Sequence, residues 1–80
     1  MLKPDEVADI NLLCQFTLAN TLEGLKIHKH EADTALVAAV ERLHKQGLVT
    51  QHDGGYLTSL GLDAAEHAQA LLTILRADPA

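Results

Sequence analysis

Apolar residues recur at helical spacing in three stretches of the chain and alternate in short runs between them. Val7, Ile10, Leu13, Cys14 and Leu18 make one stripe, which predicts a first helix over roughly residues 5–18. Pro4 suits its first position, and Asp5 and Glu6 sit in the first turn, where the helix dipole favours carboxylates. Asn20 and Thr21 break the pattern, and Thr21 is able to cap the next element. Leu36, Val40 and Leu43, flanked by Val37, predict a second long helix over roughly residues 34–46. Asp33 is its N-cap, and Gly47 lies just past its end as a C′ glycine, with Leu43 and Leu48 at the two positions that touch in a Schellman motif. Leu60, Ala64, Ala68, Leu71 and Leu75, widened by Ala65 and Leu72, predict a last helix running to about Arg76. Thr58 or Ser59 caps it, and Pro79 falls in a frayed tail.

Two segments are less regular. Between Thr21 and His30, Leu22, Leu25 and Lys29 share a helical face, whereas Leu25 and Ile27 share one face of a short strand; Gly24 weakens the helical reading. Leu48–His52 and Tyr56–Thr58 are extended, and Asp53-Gly54-Gly55 between them suits a hairpin turn with positive φ values. No internal repeat or low-complexity linker interrupts the chain.

Composition narrows the architecture. Eighty residues form one domain, and 48% apolar content is too high for a disordered acidic segment. Leu and Ala supply 27 of the 38 apolar residues, so helices dominate and a large sheet is excluded. Such a core is thin, and oligomerisation is a further source of stability open to it. The lone Cys14 excludes an intrachain disulfide and fits a reducing cytoplasm. No apolar run approaches a membrane span and no secretory pattern is present, so a cytoplasmic protein without membrane contact is expected.

Arg42-Leu43 through Gly47-Leu48-Val49, Asp53-Gly54-Gly55-Tyr56-Leu57-Thr58 and Gly61, within an order of helix, short element, helix, hairpin, helix, resemble a winged helix-turn-helix domain. The resemblance covers about residues 21–65 and implies a mostly α fold with a small β-hairpin, in the order α-α-α-β-β-α. It implies that the helix after Asp33 is the recognition helix, the hairpin the wing and Leu57-Thr58 the opening of the last helix. Gly24 and the run Lys26-Ile27-His28-Lys29-His30 depart from the pattern where the first helix of the motif belongs, which leaves that motif open to degeneracy. The whole chain also resembles a small family of uncharacterised gammaproteobacterial proteins of similar length.

Charge alters the picture in two steps. Six bases against eleven acids, a net charge of -5, count against an electrostatically driven nucleic-acid binder. The deficit nevertheless lies at the ends: residues 1–25 and 53–80 carry -3 each, and residues 26–52 carry +1 together with His28, His30, His44 and His52. Lys26, Lys29, Thr34, Arg42, Lys45 and His52 are therefore the candidate nucleic-acid contacts, touching phosphates without reading sequence. The bland alternative is a set of solvated side chains. By the resemblance, Thr34, Ala35, Val37, Ala38, Ala39 and Glu41 would face bases, and they lack the Arg, Lys, Asn and Gln that read base edges.

The remaining chemistry is sparse. His28 and His30 share a side of a strand, but no Cys pair or H-E-x-x-H spacing accompanies them, so no metal, cofactor, small-molecule substrate or catalytic set is expected. Cys14, on an apolar stripe, reads as an inert thiol, and His67 as a surface residue. Two functions remain. One is a DNA-associated regulator of winged-helix type with weak or non-sequence-specific contact. The other is a protein-interaction or dimerisation module using Ala35, Ala38, Ala39, Ala68, Leu71 and Leu75, of which the Leu71–Leu75 half is the more open.

Overall fold

The computed structural model describes residues 1–20 and 23–77. Its elements are α1 (Pro4–Leu13), β1 (Leu25–Lys26), α2 (Thr34–Lys45), β2 (Val49–Gln51), β3 (Gly54–Leu57) and α3 (Ser59–Leu75). The three strands form an antiparallel sheet in the order β1-β3-β2. The mostly helical fold with a small β-hairpin is as expected, but the order of elements is not. The segment after α1 contributes a strand in place of a second helix, so the α-α-α-β-β-α order is corrected to α-β-α-β-β-α. Gly24 and Gly54 explain why: backbone meets backbone here, with Leu25 opposite Gly55 and Lys26 opposite Gly54. Thr21 and Leu22, which bore the cap and part of the helical reading, lie outside the described residues, as does Pro79.

α1 stops at Leu13, earlier than its periodicity suggests. Its N-terminus is as read, with Pro4 first and the Glu6 carboxylate accepting the Lys3 amide at 2.8 Å. Its C-terminus is set from a distance: Gln69 of α3 donates its side-chain amide to the carbonyls of Leu13 and Phe16, at 3.2 and 2.8 Å. Carbonyls left free at a helix end are thus satisfied by another helix. The predicted stripe is also misphased. Leu13 is buried as expected, but Val7 is exposed and Ile10 and Cys14 only half-buried, whereas Leu12 and Phe16, outside the stripe, are buried, because the α1 face bearing Asp9 and Leu12 meets α2.

α2 obeys its local signals. Asp33 accepts the Ala35 amide at 3.0 Å, and Gly47 adopts φ +77°. The amides of Gly47 and Leu48 return to the carbonyls of His44 and Leu43 at 3.0 and 2.9 Å, the two bonds of a Schellman motif. The hairpin turn falls on His52 and Asp53 rather than on Asp53-Gly54. Both keep negative φ, and Gly54, at φ +125°, opens β3. A Cβ there would collide with the Leu25 carbonyl, so the glycine serves strand approach as well as the turn. A bulge at Gly55-Tyr56 sets Val49 opposite Leu57 and Gln51 opposite Gly54, and Thr50 Oγ1 accepts the Tyr56 amide at 3.0 Å.

The core joins Leu12, Leu13 and Phe16 to Ala39, Val40 and Leu43 of α2, with Ile27, Leu48, Val49 and Ala65 closing it. Thr58 caps α3 by accepting the Gly61 amide at 3.0 Å, and its hydroxyl donates to the Gly47 carbonyl. Gly61 and Ala65 are the buried residues of α3; Leu60, Leu71 and Leu75 of the predicted stripe face solvent. Small residues win the core side because Gly61 lies directly on the Leu48 backbone.

Candidate functional site

The extended chain at β1 turns Ile27 inward and Lys26 and His28 outward. Its pairing with β3 is prolonged by the Ile27 amide, which donates to the Asp53 carbonyl at 2.8 Å. That bond draws the 26–29 segment to the hairpin turn. A single turn comes next, where the amides of Glu31 and Ala32 donate to the His28 carbonyl, both at 2.9 Å. Lys26, His28 and Lys29 thereby join His52 and Asp53 of the hairpin turn and Val37, Val40 and Glu41 of α2 around one groove of about 200 Å³. Two lysines and two imidazoles line it, against the carboxylates of Glu41 and Asp53.

The other predicted contacts divide. Thr34 and Lys45 are exposed on α2, and their spacing sets them on the helix face that carries Glu41. Arg42 is turned away from it. Its guanidinium donates to Asp9 from Nη2 at 2.8 Å and from Nε at 3.1 Å, and reaches the Asp5 carbonyl at 3.3 Å. Asp5 Oδ1 lies 3.8 Å from Nη1. The hydrogen bonds it donates to Asp9 raise the Arg42 pKa, desolvation opposes this, and the charges of Asp9 and Asp5 raise it further. The cation closest in sequence to a reading role is a strut between α1 and α2.

The alanines of α2 do not form one exposed face. Ala39 is fully buried and leaves the candidate interface, because it packs in the core beside Val40 and Leu43. Ala35 lines a concavity against Ala8, Asn11 and Gln15 of the α1 side. Ala38 is half-buried, and Val37 borders the basic groove. On α3, Ala68 packs against the core, whereas Leu71 and Leu75 are 53% and 69% exposed.

His28 was not among the predicted contacts, although its alternation with Lys26 on an extended segment is the signal that places it in the groove. Gln69 carried no signal, since its partners lie more than fifty residues away. Among the described residues no three His, Cys, Asp or Glu converge to hold a metal ion, and no helix is long and apolar enough to cross a membrane. Cys14 is half-buried beside Gln69, Leu72, Thr73 and Arg76.

A family model described as a family of unknown function, DUF5669, matches residues 1–76. The chain belongs to that family. No curated protein and no solved structure matches it. Within the matched span lie the whole basic groove, the Arg42–Asp9 strut and all of α3.

Proposed function

We propose that this protein is a DNA-associated regulatory protein of winged-helix type that touches the phosphate backbone weakly and reads little sequence. The observation that carries this reading is the convergence of Lys26, His28, Lys29 and His52 on one groove beside α2. α2, the β2–β3 hairpin and α3 correspond to the recognition helix, wing and following helix of the winged-helix pattern. β1 and the turn after it stand in for the first helix of the bihelical motif. Phosphate contact rather than base reading is favoured by the side chains available: Thr34, Val37, Ala38 and Glu41 offer no bidentate donor set, and Arg42 is engaged with Asp9.

A second reading, a protein-contact face at the same groove, is favoured by Glu41 and Asp53, which interrupt the positive charge. A gel shift separates the two. Mixed-sequence duplex DNA at low salt is expected to be retarded, with affinity falling steeply as salt rises and little difference between sequences. Absence of any shift at about 50 μM protein, where even non-specific binders associate, removes the DNA reading.

A further inference from the structure

We infer that a second copy of this chain covers the exposed apolar stripe of α3, forming an antiparallel, two-fold symmetric dimer. Eight large apolar side chains are exposed among the described residues, and four of them are on this helix: Leu60 at 57%, Leu71 at 53%, Ile74 at 72% and Leu75 at 69%. With Ala64 and His67 between them, residues 60, 64, 67, 71 and 74 keep the alternating four- and three-residue spacing of a helix–helix seam. The seam is about 21 Å long. The face that builds the monomer's core centres on Gly61 and Ala65, and the stripe borders it at Ala64 and Ala68, which are half-buried against that core, while Gln69 holds the end of α1.

Three features select a second copy as the occupant. First, the stripe itself contains no Asp, Glu, Lys or Arg, so a like surface docks on it without burying charge. Second, large aliphatic side chains remove about 100 Å² each from water, so the stripes of two copies, with Ala64, His67 and Ala68, bury on the order of 1,000 Å². That meets the lower bound for a specific interface without requiring any groove on a different protein. Third, the stripe is complementary to itself when reversed. A two-fold axis between residues 67 and 68 sets Leu60 against Leu75, Ala64 against Leu71 and His67 beside Ala68, small side chains meeting large ones. A parallel arrangement would oppose Ala64 to Ala64 and His67 to His67, leaving a gap and facing imidazoles. The stripe shares no residue with the basic groove, so the dimer and the DNA reading stand or fall separately.

Light scattering and sedimentation equilibrium on the full chain test the dimer. At about 100 μM the expected mass is twice the 8.6 kDa of one chain. Leu71→Glu with Leu75→Glu weakens self-association at least about 100-fold, because each carboxylate is buried unpaired against the apolar Ala64 or Leu60 of the other copy, with the circular dichroism spectrum unchanged. Thr73→Glu, off the stripe, leaves the dimer intact. In a Cys14→Ser background, Ala64→Cys combined with Leu71→Cys oxidises to a covalent dimer, and Ala64→Cys alone does not. A monomer at that concentration, a dimer indifferent to the Leu71 and Leu75 substitutions, or cross-linking by Ala64→Cys alone overturns the inference.

Discussion

Arg42 and Asp9 stand 33 residues apart in sequence and 2.8 Å apart in the fold, Nη2 donating to Oδ1 while Nε donates to the same carboxylate at 3.1 Å. The pair is partly shielded, with side-chain exposures of 30% and 19%. It ties the middle of α1 to the last turns of α2, so the orientation of α2 depends on it. Arg42→Gln and Asp9→Asn are each expected to lower the thermal midpoint. In protein that remains folded, neither weakens binding to duplex DNA. Loss of DNA affinity in folded Arg42→Gln would return this side chain to the contact surface.

Lys26 and Lys29 are expected to behave in the opposite way. Both are exposed at the groove, so Lys26→Ala and Lys29→Ala leave the thermal midpoint nearly unchanged. Each removes one phosphate contact and lowers the slope of log affinity against log salt by about 1, equally for all sequences. A titration series across salt concentrations reads this directly. An unchanged slope in the double variant excludes the groove as the phosphate contact.

Gly61 tests the junction between hairpin and α3. A Cβ at this position would run into the Leu48 carbonyl, which is backbone and held by the Thr58 amide at 3.0 Å. Ala is ordinarily the better helix former, so propensity alone predicts a gain. The collision reverses the sign, and Gly61→Ala is expected to destabilise by about 2–3 kcal/mol in urea unfolding. Against the roughly 3–5 kcal/mol available to so small a core, that leaves a substantial unfolded fraction.

Where the amino-acid sequence succeeded, its signals were local. The Asp33 cap, the Gly47–Leu48 return to His44 and Leu43, and the Thr58 cap each join residues within a few positions, and each was legible. Where it misled, the deciding partner was remote. The apolar stripe of α1 is shifted because Leu12 is chosen by its contact with α2, and past the end of α1 the chain is held by Gln69, which donates to the carbonyls of Leu13 and Phe16. The hairpin glycines were assigned to the turn, and pairing with β1 gave them their second purpose.

The candidate site divides along the same line. The sequence by itself determined a small, mostly helical chain with a hairpin, four of its six bases gathered in the middle and its net negative charge at the ends, because composition and short-range spacing settle these. Only the tertiary structure decided which cations share a surface. Lys26, Lys29 and His52 are joined by His28 because β1 pairs with β3 beside α2, whereas Arg42 is drawn to Asp9 and Ala39 into the core. Likewise only the fold decided that Leu71 and Leu75 remain outside, since the close approach of Gly61 to Leu48 turns a different side of α3 inward. A helix stripe records that a side chain is apolar; the packing of the other elements decides whether anything covers it.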